Sequence, residues 1–526
     1  MRLARKAAVL LAGGSLICGV GIARADASAA VLRNGDFEAG LSGWQVTGTR
    51  TAAKTETGDT GAQLAHRSAD RFAVSTSQNV VGLSRGWWTF AAYVRTGGLI
   101  GATTISLQGC GSDRYAVAPV TAQDQAWVRV AVSALVTSSR CTVRLTTKGG
   151  PGDWATFNRL TLSPGRVTRA IRGADLSSLA KNEDFGAVYR TADGRRGDAV
   201  RILADAGANL GRLKVWVDPA DGYNTTSQVV ATARRIKKAH QKLLVDFHYS
   251  DRWTDPGSQT MPAAWQGLTA PQVATKVYEH THQVLTALKA AGITADYVQI
   301  GNEINPGMLW PLGQTWDVNP DDEVVGAQWD NLASFLKAGQ RAVKAVDPRT
   351  QILLHLTNIN NGVDSLTWWF DNVVSRGVPF DVIGLSYYGY WHGSLADLQA
   401  AISTLSARYD RDVLVVETAY PFTLADDADA PYPNIIDLDS ELVPGYPATP
   451  QGQAAAFRSV QDAVAAAPGG RGIGTVYWEP AWTAAAGNGW DPADPTSGNA
   501  WENQALFDFH DRLLPAAHDF APDPPR

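Results

Sequence analysis

The chain has 526 residues, with 46 Lys plus Arg set against 51 Asp plus Glu for a formal net charge of −5, and that length implies more than one domain. No cluster of Lys or Arg stands out, so a nucleic-acid partner is not expected, and no low-complexity tract interrupts the sequence. The 18 Trp are unusual: indole faces suit the C–H faces of pyranose rings, and core packing is the competing use.

Arg2, Arg5 and Lys6 precede the apolar run Ala7 to Ala23, which closes on Ala23-Arg24-Ala25. This is the layout of a secretory signal over 1–25, with cleavage as late as residue 30, so an exported, extracellular protein is expected. The run is Gly-rich and shorter than the roughly 20 apolar residues of a membrane anchor, and Ile17 before Cys18 argues against lipid attachment. Loss of Cys18 leaves Cys110 and Cys141, and two cysteines in an exported protein predict one disulfide.

Residues 31–163 show short alternating runs, among them Trp88 to Val94, Thr104 to Leu107, Trp127 to Val132 and Thr142 to Thr146, punctuated by Gly, Ser and Asp turns. With no helical period between them they predict an all-β sandwich. The opening Asn34-Gly35-Asp36-Phe37-Glu38, with Gly43-Trp44 after it, resembles the start of galactose-binding-like jelly-roll modules that accompany glycoside hydrolases. The resemblance implies sugar binding, with Trp87, Trp88 and Trp154 as stacking candidates, and a structural Ca²⁺ near Asp36 and Glu38.

Pro164-Gly165 marks a boundary. Over 166–526 apolar strand-like runs alternate with amphipathic helical ones: Ala170 to Asp175, Leu210 to Val217, Lys242 to His248, Tyr297 to Glu303, Ile352 to His355, Asp381 to Tyr387, Val413 to Glu417 and Thr475 to Trp478. Eight β-then-α units predict a (β/α)8 TIM barrel. A doubly wound sheet is the alternative, and no GxGxxG follows the first strand to favour it. Each side of the boundary has residues enough for its own core, so the barrel is expected to fold and work without the sandwich.

Two of these strands end on a glutamate, Glu303 and Glu417, each followed within four residues by proline. In a parallel α/β protein the C-terminal strand ends share one cleft, and a carboxylic acid beside a carboxylate is what cleaving a glycosidic bond requires. Asp175, Arg212, His248, Asn302, His355, Tyr387, Tyr388, Trp478 and Glu479 stand at the same level. A metal site built on His248, His355 and a Glu is the rival, against which stands the absence of an HxxxH or HxH spacing.

Several stretches together now resemble glycoside hydrolase family 53, the arabinogalactan endo-β-1,4-galactanases. They are Arg172 to Asp175, Arg212 to Val217, Asp246 to Gly257, Gln299 to Pro311, Gly384 to Tyr388, Tyr390 to Gly393, Val416 to Pro421 and Trp501 to Asp508. Gly389 stands where the family's Tyr-Tyr-Pro run leads one to expect proline. The resemblance implies that Glu303 is the acid/base and Glu417 the nucleophile of a retaining hydrolase acting on β-1,4-galactan, with the carboxyls about 5–5.5 Å apart. It implies that Arg212 and Tyr387 contact Glu417, that Asn302 grips the sugar 2-OH, and that Trp310, Trp391 and Trp478 form subsites, with Tyr388 and His248 in support. No cofactor is required by this chemistry and a monomer is expected; Asp491 and Asp494 are a further candidate Ca²⁺ pair. The same chemistry on another β-glycan, or a catalytically silent galactan binder, are the other readings.

Overall fold

The computed structural model describes residues 32–521, apart from 59–60, 100–101, 112–113, 118–126 and 167–168. The signal segment 1–25 read from the sequence, with Cys18, lies outside the described residues. Among those described, no helix is long and apolar enough to cross a membrane.

Ten strands come first: β1 (Gln45–Gly48), β2 (Ala53–Gly58), β3 (Gly61–Arg67), β4 (Phe72–Val81), β5 (Gly86–Gly97), β6 (Thr103–Gln108), β7 (Arg114–Val117), β8 (Val128–Val136), β9 (Arg140–Gly149) and β10 (Trp154–Pro164). They form two antiparallel five-stranded sheets, ordered β1-β4-β9-β6-β7 and β2-β3-β10-β5-β8. Alternate residues such as Ile105, Leu107, Val143 and Leu145 are buried between them, as period-two strands with one inner face require. Cys110 and Cys141 form a disulfide with Cα atoms 4.6 Å apart.

The second unit closes a barrel of eight parallel strands: β11 (Ile171–Asp175), β12 (Leu210–Val215), β13 (Lys242–Phe247), β14 (Tyr297–Ile300), β17 (Gln351–Leu356), β18 (Val382–Ser386), β19 (Asp412–Thr418) and β20 (Gly472–Tyr477), with β20 pairing back onto β11. A small hairpin, β15 (Gly307–Met308) with β16 (Gly313–Gln314), sits in the loop after β14. Outside the strands lie α1 (Leu179–Asp184), α2 (Ala199–Asp205), α3 (Thr226–Lys238), α4 (Ala270–Ala290), α5 (Trp329–Val346), α6 (Val363–Ser375), α7 (Leu395–Tyr409) and α8 (Pro450–Ala465).

The barrel interior explains where the polar residues stand. One buried cluster is made of Ile171, Leu210, Leu244, Tyr297, Leu353, Val382, Leu414, Val416 and Val476. Two residues further along four of these strands, on the same face, come Arg212 after Leu210, Asp246 after Leu244, Gln299 after Tyr297 and His355 after Leu353. On β12, β13, β14 and β17 the inward side is thus apolar near the strand starts and polar or charged towards their C-terminal ends.

The two units are not joined like beads. In α8 every residue from Gly452 to Val464 is buried, Arg458, Ser459, Gln461 and Asp462 included. An outer barrel helix normally shows water a polar face; here that face is covered. Arg166, just past β10, donates from Nη2 to Gln461 Oε1 at 2.5 Å and to the Asp519 carbonyl at 2.9 Å, while its guanidinium lies 4.9 Å from the Trp87 ring. Tyr115 of β7 stacks on Tyr446 at 5.9 Å, and Gln399 of α7 donates to the Arg129 carbonyl of β8 at 2.8 Å. Asp519 accepts from Arg458 through both carboxylate oxygens, at 3.1 and 3.0 Å.

This alters the expectation of an autonomous barrel. Residues 166–526 alone would leave Ala455, Ala456 and the buried Asp462 facing water, and would strip Arg166 of the Trp87 ring. The truncated chain is expected to unfold at least about 5 °C below the full chain, since roughly 1 kcal/mol moves the melting temperature of a large domain by about 2–4 °C. Thermal melts of the two chains check this, and equal melting temperatures would mean that the covered face of α8 contributes nothing.

Candidate active site

A cavity of about 680 Å³ opens at the C-terminal ends of the barrel strands, and its walls include Asp175, Arg212, Lys214, His248, Asn302, Glu303, Tyr388, Trp391, Glu417 and Trp478. Glu303 and Glu417 therefore face one space, and each reaches it by a backbone irregularity. In the register of β18 with β19, Leu385 pairs with Val415 but Ser386 pairs with Glu417, so Val416 is an extra residue. Val416 belongs to the inner cluster, and the bulge turns the residue after it inward as well, which unbroken alternation would forbid. Glu303 follows Gly301 at φ 83° and is itself left-handed at φ 49°. A Cβ at Gly301 would stand 2.6 Å from Ile304, so only glycine fits that turn.

Arg212 holds the centre. Its guanidinium, 1% exposed, reaches Asp175 at 2.6 Å, Asp246 at 2.9 Å and Glu417 at 2.9 Å, and it also donates to Asn302 Oδ1 at 3.0 Å. Beside it Lys214 pairs with Glu479 at 3.1 Å and lies 3.5 Å from the Trp253 ring centroid. Two cations thus meet four carboxylates in direct ion pairs. The cluster is short of positive charge, which favours retention of protons in a low-dielectric interior.

Burial pushes the Glu303 carboxyl up to about 7, against the pull of hydrogen bonds from Ser386 and Thr357. Burial raises Glu417 at least as far, up to about 8, with the charges of Glu303, Asp175 and Asp246 adding to the rise and Arg212 opposing it, so elevation alone does not tell the two carboxyls apart. Arg212, its charge shared among three carboxylates, does not outweigh the burial of Glu417. The partners nonetheless differ. Glu417 accepts the guanidinium on Oε1 and the Tyr388 hydroxyl on Oε2 at 3.0 Å, whereas Ser386 and Thr357 offer Glu303 neutral hydroxyls. When the pair holds one proton, it belongs on Glu303.

The remaining candidates divide. His248 lines the cavity, donating from Nε2 to Asp246 at 3.1 Å while Nδ1 accepts from the Thr254 amide at 3.2 Å. Asn302 is fixed from both ends, its Nδ2 donating to the Thr254 carbonyl at 2.8 Å. Tyr387 requires a correction: its amide donates to the Glu417 carbonyl at 2.8 Å, but its side chain does not reach the Glu417 carboxylate, the hydroxyl donating instead to the Gly393 carbonyl at 3.0 Å. The contact is made by Tyr388, which shares the inward side with Ser386, and neighbouring strand residues point to opposite faces. Trp391 is 42% exposed on the cavity rim, and Trp478 packs edge-on to Trp501 at 4.6 Å. Trp310 lies outside the cavity lining, its indole N–H donating to the Pro306 carbonyl at 3.0 Å. Gly389 has Val443 where a side chain would go, 2.9 Å from its would-be Cβ.

Sequence reasoning passed over Lys214, Ser386, Trp253, Trp482, Trp490 and Trp501. The two former share the inward face with Arg212 and Tyr388, a signal that extending the period-two series would have caught.

Among the described residues no group of three His, Cys, Asp or Glu is arranged to hold a metal. Asp491 and Asp494 accept from the amides of Ala493 at 2.9 Å and Thr496 at 2.8 Å. Asp36 accepts from the Glu38 amide and Glu38 from that of Ala62. All four carboxylates are engaged with backbone, so this geometry gives a Ca²⁺ site no support. In the sandwich, Trp88 is core, while Trp87, which lies against Arg166, and Trp154, which covers Gly97 with its indole nitrogen 2.3 Å from the would-be Cβ, keep part of their surface open.

A carboxyl whose pKa rises on folding binds its proton more tightly in the folded state, so its contribution to stability falls as pH climbs from about 4.5 to about 7. Glu303→Gln removes that cost. The variant is expected to melt a few degrees above the parent chain at pH 8 and to lose the advantage at pH 4.5, in melts at the two pH values. An unchanged difference would mean that Glu303 is not raised.

Residues 171–520 match the family model described as Glycosyl hydrolase family 53. The chain is 35% identical over 364 residues to an arabinogalactan endo-β-1,4-galactanase of Cellvibrio japonicus, covering 67% of this chain and 90% of that protein. It is 34% identical over 350 residues to the enzyme of that name from Thermothelomyces thermophilus, covering 64% and 98%. Among solved structures, the GH53 catalytic domain of Ignisphaera aggregans matches with a TM-score of 0.62 at 37% identity, over 68% of this chain and 96% of that one.

Proposed function

The chain belongs to glycosyl hydrolase family 53, and from that premise we propose that it is an exported, monomeric endo-β-1,4-galactanase that cleaves galactan of the pectin side-chain type with retention of configuration. The observation that carries the reading is the unequal setting of two buried carboxyls on one cavity. Glu417, paired with Arg212 and held by Tyr388, is the group to attack the anomeric carbon. Glu303, whose carboxyl is pushed up to about 7, protonates the departing glycosidic oxygen. The bond to that oxygen breaks as the bond to Glu417 forms. Glu303, now ionised, takes a proton from water, whose oxygen displaces Glu417 and restores the β configuration. Asn302, tied to Arg212 and Thr254, is placed to hold a sugar hydroxyl. Trp391, half-open on the rim, offers its face to a neighbouring ring.

Glu417→Ala and Glu303→Ala should each lose nearly all hydrolysis of galactan but differ in rescue. Azide should restore turnover to the Glu417 variant as an inverted glycosyl azide, and the Glu303 variant should keep most of its rate on aryl glycosides whose leaving groups need no proton. Rescue of both by the same treatment, or an α product in the proton NMR of the parent reaction, would sink the assignment.

Trp391→Ala is expected to weaken galacto-oligosaccharide binding by about 1 kcal/mol, roughly fivefold in KM, with kcat little changed. A hydrolysis panel of β-galactan, mannan and glucan checks the substrate, the prediction being release of reducing ends from β-1,4-galactan above the others.

A further inference from the structure

A carboxyl that both gives and takes a proton can do so through either oxygen. The side of Glu303 away from the cavity is arranged to leave it no choice, provided that Glu303 is the acid/base, the reading on which this inference rests. Ser386 Oγ lies 2.5 Å from Glu303 Oε1, and His355 Nε2 lies 2.8 Å from Ser386 Oγ. On the far side of the ring, His355 Nδ1 receives the backbone N–H of Glu303 itself, at 3.4 Å. His355, Ser386 and Gln299 are fully buried.

A neutral imidazole has one donor and one acceptor nitrogen, and the surroundings decide which is which. Burial holds His355 neutral, with the charge of Arg212 and, to a lesser degree, the neighbouring His248 and His392 acting in the same direction. A backbone N–H can only donate, so Nδ1 must be bare to accept it. Gln299 Nε2, 3.0 Å from Nδ1, is a second donor facing it. Asn302 Oδ1 also stands 3.0 Å from Nδ1; it already accepts from Arg212 at 3.0 Å and faces Gln299 Nε2 at 3.1 Å, and so needs no proton from the ring. The hydrogen of His355 is therefore on Nε2 and is donated to Ser386, whose own hydrogen is left for Oε1. The three donations close a circle: Glu303 N–H to His355, His355 N–H to Ser386, Ser386 O–H back to Glu303.

We propose that His355 is a positioning residue which, as the Nε2–H tautomer, turns the Ser386 hydroxyl onto Glu303 Oε1, so that the proton exchanged with substrate and water is carried by Oε2. An Oε1 occupied as acceptor cannot hide the proton on the wrong side of the carboxyl, and the Thr357 hydroxyl, which also bonds Glu303 from the cavity wall, can accept as well as donate and so does not exclude the proton; the delivery geometry is fixed before substrate arrives.

The direct test is the ring itself. Histidine-¹⁵N NMR of the full chain, with the His355 signal among its nine histidines identified by its loss in a variant, should show a protonated Nε2 and a bare Nδ1. A protonated Nδ1 or an imidazolium overturns the proposal. The kinetic test uses two substitutions of unequal mimicry. The His355→Gln amide can place an N–H where Nε2 stood and should keep most of kcat on galactan. His355→Asn reaches only the Nδ1 position and should lose about 10- to 100-fold in kcat with KM little changed. On aryl galactosides that need no proton the Asn variant's loss should shrink. Equal loss on both substrates would make the role merely structural, and equal behaviour of the Gln and Asn variants would remove the donor argument. Failure of the acid/base reading shows separately, as a Glu303→Ala variant that activated leaving groups do not rescue.

Discussion

The site depends on one guanidinium shared by three carboxylates. Arg212 comes from β12, and its partners come from β11, β13 and the bulged end of β19, so a single side chain ties three other strands of the barrel at one level. A buried cation among anions is tolerable only while each contact is made, because a lost partner leaves charge without compensation in a medium that cannot screen it. The arrangement therefore constrains the barrel's closure as much as its chemistry. Shear between β12 and its neighbours would break ion pairs as well as ladder hydrogen bonds.

Around that centre, precision is obtained from departures from regular structure. Glu303, Tyr249, Asn358 and Glu479 all hold left-handed backbone conformations near the ends of barrel strands, an arrangement that costs about 1 kcal/mol or more at each non-glycine residue and persists only when the surroundings determine it. The bulge in β19 does the same for Glu417. A regular strand would have put that carboxylate among the helices. Stability is given up locally, in strain and in buried carboxyls, where reactivity needs it.

The barrel was legible because its strands are short apolar runs that alternate with helices, and the two glutamates because each closes such a run. The illegible part came from side-chain direction. Choosing Tyr387 over Tyr388 is a one-residue error of face, and Ser386 and Lys214 were missed although they continue the same inward series as Tyr388 and Arg212. The tryptophans illustrate a different limit. Trp253, Trp482, Trp490 and Trp501 reach the cavity from loops, whose paths depend on long-range packing. The acidic turns suggested Ca²⁺ by residue type, but their carboxylates are engaged by the backbone amides that come after them or, for Glu38, by that of Ala62.

The covered helix was not read from the sequence, which pointed to an autonomous barrel, although α8 carries only Arg458 and Asp462 as charged residues where α3 carries Arg234, Arg235, Lys237 and Lys238. Its consequence is mechanical: a barrel whose eighth helix is covered from Gly452 to Val464 cannot part from the sandwich without wetting that helix. Substitutions at Ala455 or Ala456 are answerable to two units at once. The joining of the two units thus makes α8 a shared wall, and a change on its covered face is felt on both sides of it.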